Sequence, residues 1–162
     1  MGARMCRRQR QGDRGFAPGR RRPRATVDAC LLKVLLVEDA KIVRMGLRLA
    51  LEEFEDVQVV GEAGSCEEAL FKVRAYRPDV ILLDLTLPDG SGLDLLRQIH
   101  LVDATIKVVV LSSEEERDEV LASLNSGAHA YCLKNIQAED LVAAIRLVSH
   151  GGMWLDPGIA MH

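Results

Sequence analysis

The chain has 162 residues, of which 48% are hydrophobic and 28% charged, enough for one domain of ordinary size with a real core. Its charge is unevenly placed: residues 1–24 hold nine arginines against the single acid Asp13, a net +8, which leaves −11 on the rest of a chain whose total is −3. An acidic body is repelled by nucleic-acid phosphates and anionic lipid, and no apolar run approaches the roughly 18 residues of a membrane span.

Cys6, Cys30, Cys66 and Cys132 are scattered without metal-ligand spacing, as expected of reduced cysteines in a cytoplasmic protein. The histidines at 100, 129, 150 and 162 form no zinc pattern. Residues 1–30 open with an Arg-, Gly- and Pro-rich stretch almost free of aliphatics, so they are expected to be a disordered leader. No apolar segment follows its Arg-Arg pairs, which argues against an export signal. An extension ahead of a native start near Val27 or Leu31 is the preferred reading of this leader, and a basic arm touching nucleic acid the other.

From Lys33 the pattern becomes regular. Lys33–Val37 is a short β-branched run, a first strand; residues 41–54 then carry Val43, Leu47, Ala50 and Phe54 at helical spacing. Val57–Gly61 is a second strand. Ser65 with Glu68 three residues on forms a capping box for a helix through about Ala75. Val80–Asp84, the run VILLD, is a third strand; after the Pro-Asp-Gly-Ser-Gly turn, Leu93, Leu96 and Ile99 mark a third helix. Lys107–Leu111 is a fourth strand. Ser113 with Glu116 is expected to cap the helix holding Val120, Leu121 and Leu124, which Gly127 closes. Ala130–Leu133 is a fifth strand, and Leu141, Ala144, Ile145 and Val148 face inward from a last helix stopped by Gly151-Gly152.

Five strand–helix units whose central strands are continuously apolar predict an α/β fold, a doubly wound five-stranded parallel sheet covered on both faces. The domain is expected over residues 31–152, with 153–162 a short C-terminal tail. In such sheets ligands bind beyond the carboxyl ends of the strands. There the sequence places Glu38-Asp39 after the first strand, Asp84 ending the third, Ser112 and Ser113 after the fourth and Lys134 after the fifth; Glu62, after the second, carries less weight. A lone aspartate at a strand end is usually a cap, and a lone lysine there is usually solvated. All of them together at the right strand ends is a poor coincidence. Clustered carboxylates repel unless protonated or bridged by a cation. Oxygen ligands favour Mg²⁺ or Mn²⁺ over zinc, and a carboxylate beside such an ion remains a competent nucleophile. Lysine and a hydroxyl supply what a transferring phosphoryl group needs.

Glu38-Asp39, Leu-Leu-Asp84 with Pro88 and Gly92 after it, Val-Leu-Ser112 and Tyr131-Cys-Leu-Lys134 together resemble the receiver domain of two-component response regulators, over about Leu31 to Gly152. The resemblance implies the flavodoxin-like receiver fold and Asp84 as phosphoacceptor. Asp39, Asp84 and the Thr86 backbone carbonyl would hold Mg²⁺, with Glu38 reaching it through water. Ser112 and Tyr131 would be the switch residues and Lys134 the partner of the phosphoryl group. It implies a sensor histidine kinase or phosphotransfer protein as donor, homodimerisation on phosphorylation, and a signalling domain with only self-phosphorylation and slow autodephosphorylation. The chain departs from the family at Glu38, where aspartate is commoner, and at Asn135, where many receivers have proline. VVGEAGSCEEAL and AIRLVSHGGMWLDPGIA are similar to the LuxR-type subfamily, whose helix-turn-helix reader needs on the order of 60 residues; only ten follow Gly152. The chain is thus expected not to bind DNA itself, whether as a stand-alone receiver or as part of a split or truncated transcription regulator. A haloacid-dehalogenase-type phosphatase also uses an aspartate nucleophile with Mg²⁺, but Glu38-Asp39-Ala40-Lys41 lacks that family's Asp-x-Asp.

Overall fold

A computed structural model of the protein describes residues 31–160, so the expected leader lies outside the described residues. In chain order the elements are β1 (Leu32–Val37), α1 (Lys41–Glu52), β2 (Val57–Ala63), α2 (Cys66–Tyr76), β3 (Val80–Asp84), β4 (Thr86–Leu87), β5 (Gly90–Ser91), α3 (Gly92–Val102), β6 (Lys107–Ser112), α4 (Arg117–Asn125), β7 (Ala130–Leu133), α5 (Ala138–Ser149), β8 (Trp154–Leu155) and α6 (Pro157–Ala160). The main sheet is parallel, in the order β2-β1-β3-β6-β7-β8; β4 and β5 form a small antiparallel ribbon in the turn after β3.

Alternation along fully buried strands feeds two cores. Leu35, Val37, Ile81, Leu83, Val108, Val110 and Tyr131 point to the face covered by α2, α3 and α4. Val34, Leu36, Leu82, Val109, Leu111 and Cys132 point to the other face, against α5 and Leu51 of α1. Having an apolar layer on each side is why these strands read as continuous runs and not as alternation.

Local signals set most helix ends. Ser65 Oγ accepts the Glu68 N–H at 3.2 Å, and Glu68 reaches back to the Gly64 N–H at 3.1 Å, so the expected cap is present with its return bond displaced by one residue. Gly127, at φ +104, closes α4 as expected. Three local expectations change. In α1, Leu51 is the side chain buried outright, and Phe54 lies past the helix end with the Arg146 guanidinium 5.8 Å from its ring centroid. Leu121 is exposed, leaving Val120 as the apolar residue that α4 buries fully. Ser113 does not cap α4, which starts at Arg117 without a side-chain cap; Ser112 Oγ instead accepts the Glu114 N–H at 3.0 Å, turning the chain before the helix begins.

The sheet has six strands where five were expected. The tail returns as β8, pairing Trp154 with Ala130 and Leu155 with Tyr131. Asp156, only 8% exposed, anchors it: its carboxylate accepts the Leu133 N–H at 3.2 Å and the Gly158 N–H at 2.9 Å, while its own N–H bonds the Tyr131 carbonyl at 3.0 Å. Backbone groups that β7 would otherwise expose are satisfied this way. Asp156→Ala strands the buried Leu133 N–H and is expected to destabilise the protein by about 1–3 kcal/mol; an unchanged urea midpoint would mean that the segment adds nothing to the fold.

Candidate functional site at the carboxyl edge of the sheet

Parallel register brings the chemistry together. Val37 pairs with Leu83 across β1 and β3, so the next residues, Glu38 and Asp84, leave their strands side by side. Asp84 pairs with Leu111 and Ser112 with Leu133, so Ser112 and then Lys134 follow on the next two strands. The β1/β3 boundary is also where the chain reverses its direction of winding, so the site lies at the topological switch point. Backbone bonds fix the strand ends: Glu38 N–H to the Ala63 carbonyl and Lys134 N–H to the Ser112 carbonyl, both 2.9 Å.

Glu38, Asp39 and Asp84 each present a carboxylate oxygen within 4.8 Å of the others. Glu38 and Asp84 are 3% and 6% exposed, whereas Asp39 faces solvent. Lys134 Nζ stands 3.0 Å from Glu38 Oε2 and 3.4 Å from Asp84 Oδ2. The other carboxylate oxygens accept backbone N–H groups: Ala40 to Glu38 Oε1 and Thr86 to Asp84 Oδ1, each at 3.2 Å. These residues, with Thr86, Ser112, Ser113, Glu114 and Glu119, line an open cavity of about 300 Å³. Gly92 holds the turn beneath it: a Cβ there would lie 2.5 Å from the Leu85 Cα, so the start of α3 can cross the end of β3 only without a side chain.

Of the residues singled out from sequence, Glu38, Asp39, Asp84, Thr86, Ser112 and Lys134 line one cavity. Tyr131 lies beneath it, fully buried, its hydroxyl 2.8 Å from both the Glu114 carbonyl and Glu119 Oε1. Burial pushes that hydroxyl well above the usual tyrosine range. Glu62 is turned away, paired with Arg48 at 3.2 Å. Sequence reasoning missed Glu119. It sits in a run of surface-like acids, and its approach to Ser112 depends on where α4 begins.

The family model described as response regulator receiver domain matches residues 34–146. The chain is 38% identical over 128 residues to the response regulator protein VraR of Staphylococcus aureus, covering 79% of this chain and 61% of VraR; it thus spans about three fifths of that relative's length. A LuxR-family two-component response regulator from an Aurantimonas species superposes with a TM-score of 0.77 at 30% identity, over 81% of this chain and 94% of that one. The isolated receiver domain of RcsB from Salmonella enterica serovar Typhimurium, solved with phosphomimetic BeF3⁻, gives 0.75 at 24% identity, over 81% and 97% of the two chains, a likeness of fold.

The charges do not balance among themselves. Burial raises Glu38 above the usual carboxylate range, and Asp84 adds to the rise against the opposing pull of Lys134. The same two carboxylates hold Lys134 above its ordinary value although burial pulls it down. A raised acid binds its proton more readily in the folded state than in the unfolded chain. The folded state therefore loses stability as pH climbs from the ordinary glutamate value, 4.5, through the raised one. Lys134→Met removes the ammonium paired with both carboxylates, and with Lys134 partly solvated the expected loss is about 1–3 kcal/mol at pH 7. That loss shrinks as pH falls through the raised Glu38 value and the carboxyl takes up a proton; urea denaturation across a pH series measures the difference, and a loss independent of pH would contradict it.

Proposed function

The chain belongs to the response regulator receiver domain family, a family of signalling domains, and on that premise we propose that Asp84 is the phosphoacceptor of a two-component phosphorelay. The observation that carries this reading is the convergence of Asp84, Glu38, Asp39 and Lys134 on one cavity at the switch point of the sheet. A sensor histidine kinase or phosphotransfer protein presents a phosphohistidine. An Asp84 carboxylate oxygen attacks the phosphorus, the P–N bond breaks, and the imidazole leaves with its electron pair and takes up a proton. Hydrolysis reverses the modification: water attacks the phosphorus, the acyl-phosphate O–P bond breaks, and phosphate and the free carboxylate result. Lys134 pairs with the phosphoryl oxygens, and Ser112 donates a hydrogen bond to one of them.

The donor set fits a hard divalent cation. It is all oxygen and already clustered, and a single ammonium cannot neutralise three carboxylates. Asp39, Asp84 and the Thr86 carbonyl would hold Mg²⁺ or Mn²⁺, with Glu38 in its outer shell; when bound, the ion offsets the charge of the incoming phosphoryl group. The domain works as a protein-interaction switch rather than as a turnover enzyme, in the cytoplasm, and pairs with a second copy on phosphorylation. No helix among the described residues is long and apolar enough to cross a membrane.

A second reading is that this is the receiver part of a LuxR-type transcription regulator. It is favoured by the Aurantimonas structure and by the extra length of VraR beyond the matched region. On this reading the acidic receiver contributes the switch, and DNA contact falls to a separate module.

Asp84→Asn is expected to abolish labelling by acetyl phosphate. Acid-labile phosphate that persists in the variant would remove Asp84 from the role. Beryllofluoride should bind the wild-type chain only with Mg²⁺ or Mn²⁺ present, so calorimetric binding that survives EDTA would refute the metal site.

A further inference from the structure

Cys66, Glu67 and Glu68 open α2, and their N–H groups have no acceptor inside the helix. Ser65, the cap, supplies one: its Oγ accepts the Glu68 N–H at 3.2 Å. The other two donate to Asp89, in the turn that follows Asp84. The Cys66 N–H reaches Oδ1 at 2.7 Å and the Glu67 N–H reaches Oδ2 at 3.1 Å. Both oxygens of one carboxylate thus close the helix from a distant part of the chain. These donors, Cys66 first, hold the Asp89 carboxyl below the usual aspartate range, and a negative charge at a helix N-terminus is favoured.

The turn gains an anchor by this. Of residues 86–91, Leu87 alone buries its side chain. The ribbon they form pairs β4 with β5, two residues each, and so short a hairpin holds poorly by itself. Leu87 ties it to the core from inside. Asp89, at its tip, ties it to a helix that Ala69 and Val73 seat in the same core. The same ribbon carries Thr86, whose carbonyl is one of the three ligands assigned to the cation above.

We propose that Asp89 is a positioning residue for the cation: by fastening residues 86–91 to α2, it fixes where the Thr86 carbonyl stands relative to Asp39 and Asp84. This rests on the divalent-ion site of the phosphoacceptor reading. Linkage makes the effect reciprocal, so an ion on that carbonyl steadies the start of α2 as well.

Calorimetric titration of the full chain with Mg²⁺ tests it. Asp89→Ala is expected to bind Mg²⁺ about tenfold more weakly than wild type. Asp89→Asn keeps one acceptor oxygen and should fall between the two; it also serves if the alanine variant folds poorly. Ser65→Ala is the control for a merely structural role. It removes a cap from the same helix without freeing the turn, and is expected to keep wild-type affinity. In the wild-type chain, Mg²⁺ should also slow hydrogen exchange at the Cys66 and Glu67 amides. Wild-type affinity in both Asp89 variants, an equal loss in Ser65→Ala, or exchange at those amides indifferent to Mg²⁺ overturns the proposal. Asp39→Asn separates it from the reading beneath it. Weakened binding in that variant alongside wild-type affinity in Asp89→Ala sinks the Asp89 role alone, whereas Mg²⁺ binding untouched by Asp39→Asn sinks both.

Discussion

Two carboxylates held almost out of water beside one ammonium are the constraint around which this domain is arranged. Glu38 and Asp84 emerge from adjacent parallel strands because Val37 and Leu83 are in register, and Lys134 reaches both from the end of β7. Desolvation makes each negative charge costly, and their proximity makes the pair costlier. A lone lysine offsets part of that. The remaining imbalance favours positive charge at this edge, which suits the proposed Mg²⁺ or Mn²⁺ site.

The scaffold carries this imbalance because its stability comes from elsewhere. Both faces of the sheet are packed with aliphatic side chains, and the strands that end at the site are buried along nearly their whole length. Rigid strands thus present strained chemistry at their tips while the loops beyond them stay open to solvent. The packing is uneven around the site: β1, β3 and β7, well buried, carry the acids and the lysine to its edge, and α4, which buries only Val120 and Ser123 fully, carries Glu119 beside Ser112 and Tyr131.

The fold and most of the site were legible in the sequence for a physical reason. A parallel sheet covered on both sides forces unbroken apolar runs, and the residue after each run lies at the edge where ligands bind, so Glu38, Asp84, Ser112 and Lys134 could be read as neighbours from spacing alone. What escaped depended on side chains meeting across loops. Ser113 fits an N-cap by spacing, yet Ser112 turns the loop first and α4 starts later. Glu119 looks like any other acid of an exposed first turn until the path of that loop is known. Trp154-Leu155-Asp156 carries no strand pattern, being too short to show a period; it becomes a strand because β7 leaves its backbone groups open to pairing.

That added strand changes what the end of the sheet offers to its surroundings. Without it, β7, four buried residues carrying Tyr131, would be the boundary, and an apolar strand with free backbone groups is a template for pairing with another chain. With it, the boundary is a rung of two residues, closed by Asp156 and followed at once by Pro157, which has no N–H to donate. The strand that bears Tyr131 is thereby insulated from chance β-sheet growth at high local concentration, a protection that would matter most if copies of the domain pair on phosphorylation as proposed.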